Sequence, residues 1–150
     1  MDAVTYPQES VVSFVSNRMI PLRVRFDAQP HASDFKIQWT PSLITLGPEG
    51  QEHHRSVGFL PPEELIPSLL LGSGKCHFDA ERFPQALKDL DELLAKYPKS
   101  HAAPEAIYYR GVTGYKSTHD AKPLKAAYEK LAAEYPQSEW TNRAYPYRLL

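Results

Sequence analysis

Cysteine is almost missing from this sequence, because Cys76 is the single one among 150 residues. One thiol cannot form an internal disulfide, a Cys-x-x-Cys redox pair or a multi-cysteine zinc site within this chain. A lone cysteine in a predicted helix is typical of a small buried apolar side chain. No basic cluster or positioned base is evident beside Cys76, so we expect no nucleophilic role for its thiol.

The sequence also lacks an excess of charge and a long apolar run. Its 17 lysine and arginine residues face 18 aspartate and glutamate residues, for a net charge of −1. That balance provides no basic surface of the kind that nucleic-acid binding requires. The longest apolar run covers residues 106–109, whereas a membrane-spanning helix needs about 20 apolar residues. The first residues show no charged and then apolar leader, so we expect a cytoplasmic protein without nucleic-acid or membrane partners.

Residue patterns for metal binding and acid–base catalysis are missing as well. The six histidines show no ligand spacing, and His53 and His54 are adjacent in a predicted strand, so their side chains point to opposite faces. The glycine-rich stretch at 72–75 lacks the residues that complete a phosphate-binding loop. We therefore predict no catalytic residue in this chain, no metal and no cofactor.

Proline, by contrast, is abundant, with 14 residues or about 9% of the chain against an ordinary content of about 5%. Residues 1–72 mix proline and glycine with short apolar runs, whereas residues 73–150 consist of longer apolar patterns with helical spacing and frequent tyrosine. We therefore predict two parts that meet near residue 72. In the second part, a proline near a helix start or directly after a tyrosine marks the helix ends.

The sequence of the first part, residues 1–72, predicts three strands. Residues Leu22–Phe26 alternate apolar and polar side chains, which is typical of a half-buried strand. Ser42–Leu46 and Glu52–Val57 are separated by the turn-forming residues Gly47–Gly50, a pattern that predicts an antiparallel hairpin. The prolines and glutamates at 61–64 then predict the start of a helix, since proline and acidic residues favour the first helical turn.

Two segments of the second part resemble each other. Gly74–Ser100 and Gly111–Ser138 both end in Leu-x-x-x-Tyr-Pro-x-Ser, and a helix–turn–helix unit of this length is typical of a repeat protein. Gly74 and Ala86 stand twelve residues apart, where small side chains would let two helices cross closely. The pattern resembles the tetratricopeptide repeat, and a helical hairpin bundle without repeat ancestry is the alternative. Two repeats cannot bury their faces alone, so residues 1–72 are expected to cap them.

The first part resembles the second half of a thioredoxin-like fold. The residues that carry the resemblance are Trp39–Leu43 (WTPSL), Leu46–Phe59 (LGPEGQEHHRSVGF) and Pro62–Leu65 (PEEL). The resemblance implies that the Thr40–Pro41 peptide bond is cis and that this pair, together with Gly58, presents an extended polypeptide substrate. The expected fold class is thus α/β, a partial thioredoxin-like sheet with helices, followed by an all-α helical-hairpin repeat.

The resemblance also exposes two missing parts. In thioredoxin-like proteins a central strand and a Trp-Cys-x-x-Cys motif come before the first helix of this region, and neither is present ahead of it here. A sheet without its central strand leaves unpaired backbone groups at open edges, so a homodimer through these edges is expected. Three explanations stay open: a chain shortened to an internal Met, a natural remnant whose sheet has rearranged or closed against a second copy, and a misleading resemblance.

Two hypotheses for function follow from these patterns. In the first, the chain belongs to the thioredoxin lineage of thiol–disulfide oxidoreductases, carries a helical-repeat extension, and is inactive because disulfide exchange requires two thiols. Whether it is an enzyme therefore stays open. In the alternative, the helical repeats form a non-catalytic scaffold that binds a protein or peptide partner. Tyr109 and Arg110 lie off the apolar stripe of their helix and are the predicted partner-binding residues.

Overall fold

Seven α-helices and one β-hairpin form the chain, and the computed structural model describes all residues from Met1 to Leu150. The helices are α1 (Glu9–Arg18), α2 (His31–Asp34), α3 (Pro62–Asp79), α4 (Phe83–Lys96), α5 (Ala103–Thr118), α6 (Lys122–Glu134) and α7 (Glu139–Ala144). The strands are β1 (Ser42–Leu46) and β2 (Glu52–Val57), and a 3₁₀ segment (Tyr145–Leu149) closes the chain. The fold is therefore mostly helical. No helix combines the length and the apolar character that a membrane span requires.

Proline sets the starts of the four long helices. It occupies the first or second position of α3, α4, α5 and α6, where its missing N–H would have no helical partner in any case. At the other end, α4 and α6 stop at Tyr97 and Tyr135. Each tyrosine directly precedes a proline, which disfavours helical backbone in the residue ahead of it. The predicted helix ends of the second part are therefore confirmed.

Helix α3 pairs with α4, and α5 pairs with α6. A Cβ placed on Gly74 would lie 3.0 Å from the Leu90 side chain and 3.7 Å from the Ala86 carbonyl oxygen. A Cβ placed on Gly111 would lie 2.6 Å from the Ala127 Cβ. The backbones approach this closely because the glycines carry no side chain. The prediction of small residues at the helix crossing is confirmed.

Two apolar clusters hold the helices together. The larger cluster joins α1, α3, α4 and the start of α5, and its fully buried leucines are Leu65, Leu70, Leu71, Leu90 and Leu93. The smaller cluster joins α5, α6 and α7 around Leu131. Val11 of α1 is only 2% exposed, so the amino-terminal part packs onto the long helices. The predicted boundary near residue 72 lies inside α3.

The antiparallel hairpin packs against α3. Leu43 pairs with Ser56, and Thr45 pairs with His54, so these four side chains share one face of the hairpin. Gly72 of α3 makes the contact possible, because a Cβ there would overlap the Thr45 side chain. The predicted hairpin is confirmed, and it covers one side of α3.

The predicted strand at Leu22–Phe26 is wrong for this structure, since these residues belong to no sheet. The backbone from Ile20 to Val24 forms no backbone hydrogen bond, and the side chains of Leu22 and Phe26 are 79% and 65% exposed. A strand needs a neighbouring strand to pair its N–H and C=O groups, and none lies beside this segment. The sheet has only β1 and β2, so the partial thioredoxin-like sheet of the expected α/β fold is not formed.

Candidate functional site

Five aromatic side chains form a continuous row, which we call the aromatic row. Its members are Phe78 of α3, Tyr108 and Tyr109 of α5, Trp140 of α7, and Tyr147 of the 3₁₀ segment. Neighbouring ring centroids are 5.2–6.1 Å apart, a spacing at which aromatic rings attract each other. All five residues are half-buried. The row is therefore held in place and still presents apolar surface.

The repeat explains where the aromatic row begins. Gly74 of α3 corresponds to Gly111 of α5 as the crossing glycine, and the same offset makes Gly72 the counterpart of Tyr109. In α3 this face is covered by the hairpin, with the Thr45 side chain lying over Gly72. In α5 the same face carries the tyrosine side chain. The hairpin thus covers one end of this helical face, and the aromatic row occupies the part of the face beside it.

Two cations lie over rings of the aromatic row. Lys75 Nζ is 5.3 Å from the ring centroid of Tyr109 and 2.8 Å from Glu105 Oε1. The guanidinium of Arg143 lies 4.7 Å from the ring centroid of Trp140. Both distances suit a cation–π contact. Burial is the main cause that raises the pKa of Tyr109, so its hydroxyl stays neutral at physiological pH.

A cavity of about 150 Å³ lies between the hairpin, α3 and the start of α5, and six of its nine lining residues are polar or charged. Three of its side chains form a hydrogen-bond network. Ser56 Oγ lies 2.7 Å from Ser68 Oγ, and His54 Nε2 lies 3.2 Å from the same Ser68 oxygen. Glu64 and Glu105 also line the cavity. The network joins the hairpin to α3 through polar contacts beside the aromatic row.

The electrostatics of His54 decide what this network can do. Burial and, to a lesser degree, the charge of Lys75 lower the pKa of His54 to about 4. The imidazole is therefore uncharged at neutral pH, and it is a weak base there. The pair of Ser68 and His54 lacks the basicity that an activated serine nucleophile needs. Its hydrogen bonds position the hairpin on α3.

Cys76 is half-buried on α3. Burial is the main cause that raises the pKa of its thiol, against the opposing charge of Arg82. The thiol is therefore protonated at neutral pH, and this form is a poor nucleophile and metal ligand. This environment agrees with the interpretation of Cys76 as a small packing residue.

The two predicted partner-binding residues point to different surfaces. Tyr109 belongs to the aromatic row, whereas Arg110 Nε lies 2.5 Å from Asp91 Oδ1 of α4. Successive residues of a helix are turned by about 100°, which is why the two neighbours separate. The side chain of Arg110 is 50% exposed. It lies on an ion-paired surface towards α4 and outside the row.

The three predicted substrate-binding residues meet at the open end of the hairpin. The Gly58 N–H donates a hydrogen bond of 2.8 Å to the Pro41 carbonyl oxygen, and the Thr40–Pro41 peptide bond is cis. Gly58 has a φ of +97°, a backbone conformation that glycine adopts without steric cost. Thr40 is exposed, while Pro41 and Gly58 are half-buried. The role of these residues in substrate binding stays a prediction.

Sequence reasoning missed Phe78, Trp140 and Tyr147 of the aromatic row, and the two cations Lys75 and Arg143 beside it. They come from three different elements, so no local pattern connects them. One signal could have found Trp140: α7 begins after the same Tyr-Pro-x-Ser ending that precedes α5. That ending predicts a further helix stacked beside α5, with its own aromatic residue on the shared face.

Comparison with known protein families supports the helical repeat. A family model described as the tetratricopeptide repeat matches residues 68–100, which cover the second part of α3, all of α4 and the loop that follows. The chain therefore contains a tetratricopeptide-like repeat in its helical region. No curated protein and no solved structure matches the chain, and none of these comparisons supports a thioredoxin-like family.

Proposed function

We propose that this chain is a non-catalytic scaffold that binds a protein or peptide partner through the aromatic row. Tetratricopeptide-like repeats commonly mediate contacts between proteins, and residues 68–100 match such a repeat. The observation that carries the proposal is the row itself, in which five half-buried rings follow one another along the helices. Tyrosine and tryptophan are enriched among the residues that dominate binding energy at protein interfaces.

The aromatic row suits binding because its rings are already ordered in the free chain. Tyr108 contacts the rings of Tyr109, Trp140 and Tyr147, and its hydroxyl lies 3.2 Å from the Tyr147 hydroxyl. Each ring therefore loses little further conformational freedom when a partner covers it. The hydroxyls supply polar contacts on an otherwise apolar surface. A short extended or helical segment of a partner is the class of ligand that such a surface takes.

The charges beside the aromatic row are already matched within the chain. Lys75 pairs with Glu105 at 2.8 Å, and Arg143 pairs with Glu139 at 3.2 Å. The surface therefore has no strong field of one sign to attract an acidic or a basic partner. Recognition would depend on shape and aromatic contact, and we expect the affinity to change little with salt concentration.

The amino-terminal part acts in this proposal as a cap. A short repeat array needs its terminal faces covered. The hairpin covers α3 at one end, and α7 packs on α5 and α6 at the other. We assign residues 1–72 to the cap and residues 73–150 to the binding scaffold, with α3 continuous between them.

A thioredoxin lineage of residues 1–72 is the second candidate. The observation that favours it is the meeting of Thr40, Pro41 and Gly58 at one end of the hairpin. With Cys76 as its only thiol, the chain lacks the pair that a disulfide exchange cycle requires. In this second candidate, residues 1–72 descend from a thioredoxin-like protein and keep its substrate-facing loop. The chain itself would have no redox activity.

Peptide display tests the scaffold function. The immobilised chain selects binders from a random peptide library, and calorimetry then measures the affinity of a selected peptide. We expect Tyr109→Ala and Trp140→Ala to weaken binding about tenfold or more, as aromatic hot spots do. Arg110→Ala, outside the row, is expected to have a smaller effect. Tyr115→Ala is the matched control, because Tyr115 lies on the same helix and its ring packs near His119 instead of the row.

Two outcomes contradict the proposal. The first is a library from which no peptide is enriched. The second is a set of selected peptides whose affinities are unchanged in Tyr109→Ala and Trp140→Ala, since these peptides would bind elsewhere. Thermal unfolding of each variant shows whether it is folded, and Tyr109→Phe, which keeps the ring, is expected to retain most of the affinity.

A further inference from the structure

The hairpin has one open edge. The Gly58 N–H bonds to the Pro41 carbonyl oxygen, and in an antiparallel pair hydrogen-bonded residues alternate with residues whose backbone groups point away from the partner strand. The backbone groups of Ser42 and Ile44 therefore point away from β2. Since β1 has no second neighbour, these two residues offer a free edge of N–H and C=O groups.

A second stretch of backbone is also unpaired. Residues Ile20–Phe26, which we call the free segment, lie outside the helices and strands. From Ile20 to Val24 the backbone forms no backbone hydrogen bond. The apolar side chains of Leu22 and Phe26 are 79% and 65% exposed. An exposed apolar stretch with a strand-like pattern and an unpaired backbone marks an interaction surface.

We propose that the chain forms a two-fold dimer by strand addition, in which the free segment of each copy pairs with the open edge of β1 in the other copy. A two-fold dimer uses the same surfaces on both subunits, and each copy carries one donor segment and one acceptor edge. The pairing satisfies backbone groups on both elements at once. The strand that the sequence predicts at Leu22–Phe26 then forms between chains.

The chemistry of the two elements argues for a second copy as the occupant. The acceptor edge, Ser42–Leu46, carries no charged residue. The arginines of the free segment are already matched, because Arg23 pairs with Asp2 at 2.9 Å and Arg25 pairs with Asp27 at 2.8 Å. The segment therefore brings no unpaired charge to the uncharged edge. The five alternating residues of the segment also match the five residues of β1 in length.

The exposed apolar area is sufficient for a specific dimer. Ile20 is 97% exposed, and Trp39, three residues ahead of β1, is 73% exposed. Together with Leu22 and Phe26, these side chains expose on the order of 500 Å² in each copy. Two copies thus offer on the order of 1,000 Å², which is about the smallest area that a specific interface buries.

Sedimentation velocity of the full chain tests the dimer. We expect the wild-type chain to shift from monomer to dimer as its concentration rises. Leu22→Lys is expected to raise the dimer dissociation constant about tenfold or more, because it places a charge in the apolar pairing face. Leu149→Lys is the matched control, since Leu149 is 77% exposed and lies outside both pairing elements. A chain that stays monomeric up to millimolar concentration, or a Leu22→Lys variant that dimerises like the wild type, overturns the proposal.

Amide hydrogen exchange tests the strand pairing itself. The amides of Ser42 and Ile44 are expected to exchange more slowly as the dimer forms, since each gains a hydrogen bond across the interface. A dimer in which both amides exchange at their monomer rates is formed by another surface and overturns the proposal.

Proline variants of the free segment supply an independent test. The N–H groups of Arg23 and Val24 have no backbone partner in the single chain, so Arg23→Pro and Val24→Pro remove no backbone hydrogen bond from its fold. Arg23→Pro also removes the exposed ion pair with Asp2, which lies outside the pairing backbone. Adjacent N–H groups of a strand point to opposite edges, and one of the two variants must therefore remove an interface bond. We expect that variant to weaken the dimer, and equal dimerisation by both variants and the wild type would overturn the proposal.

Discussion

The Tyr135 hydroxyl, at the end of α6, donates a hydrogen bond to the Pro98 carbonyl oxygen, shortly after the end of α4. This bond joins the ends of α6 and α4 across 37 residues of sequence. Tyr97 holds the corresponding place in the Leu-x-x-x-Tyr-Pro-x-Ser sequence that ends α4, and its hydroxyl makes no such bond to a following helix end. The tyrosine of this shared sequence therefore has two different structural roles.

Tyr135→Phe is expected to lower the free energy of unfolding by about 1 kcal/mol, the usual net contribution of one hydrogen bond. Tyr97→Phe likewise removes only the hydroxyl, and we expect it to change the free energy of unfolding by less than about 0.5 kcal/mol. Urea denaturation followed by circular dichroism measures both variants. Equal losses in the two variants would show that the bond to Pro98 does not stabilise the fold.

Gly111→Ala is expected to destabilise the chain, although alanine is ordinarily the better helix former. The added Cβ would lie 2.6 Å from the Ala127 Cβ and 2.9 Å from the Pro123 carbonyl oxygen, and overpacking of this kind costs about 1–3 kcal/mol. Ala126→Gly on the exposed side of α6 is the control, with an expected cost of about 1 kcal/mol from helix propensity alone. A Gly111→Ala variant more stable than the wild type in urea denaturation would contradict the close crossing of α5 and α6.

The free energy of unfolding is expected to decrease as the pH is lowered, because His54 titrates at a different pH in the folded and the unfolded chain. The pKa of His54 in the folded chain is lowered to about 4 from an ordinary value of 6.5, chiefly by burial. Between these values the unfolded chain binds the proton and the folded chain does not, so acid favours unfolding. The loss of stability begins as the pH falls below about 6.5, is complete below about pH 4, and then amounts to roughly 3 kcal/mol.

Two histidine variants isolate this contribution. His54→Gln is expected to flatten the dependence of the unfolding free energy on pH in this range, because the titrating group is gone. His31→Gln at an exposed site is expected to keep the slope of the wild type. Denaturant unfolding at several pH values between about 7 and about 5 measures the slopes, and a wild-type slope in His54→Gln would rule out this histidine as the cause.

The chain is expected to show no catalytic reduction of disulfides. Attack and resolution require two thiols, and Cys76 is alone, half-buried, and has a pKa raised by burial. Turbidity from insulin reduction in the presence of dithiothreitol measures the activity, with Cys76→Ser as the control at the same background rate. Turnover in the wild type that disappears in Cys76→Ser would contradict this prediction.

The helices and the hairpin could be predicted because their signals are local. Proline near a helix start restricts the backbone of its own turn, and a turn of glycine and proline joins Ser42–Leu46 to Glu52–Val57. Gly74 and Ala86 also revealed the first helix crossing, since a repeat places equivalent residues at equivalent contacts. Each of these inferences depends on residues that are close in the chain or related by the repeat.

The candidate site could be predicted only in part. Tyr109 was identified from its place off the apolar stripe, and it belongs to the aromatic row. Arg110 was identified in the same way and is bound to Asp91 outside the row. Trp140 was missed, because its contact with Tyr108 depends on how α7 stacks against α5. A stripe on one helix shows which side is apolar, and it does not show which neighbour covers the remaining sides.

The sequence by itself determined the helix ends, the hairpin, the repeat and the limits that one thiol sets on chemistry, because these follow from contacts within a few residues or from direct counts. Only the tertiary structure decided that the hairpin covers α3, that aromatic residues of separate helices meet, and that Leu22–Phe26 has no strand beside it. Alternating side chains specify the two faces of a strand. Whether the strand forms depends on backbone groups that come from elsewhere, either in the same chain or, as we propose, in a second copy.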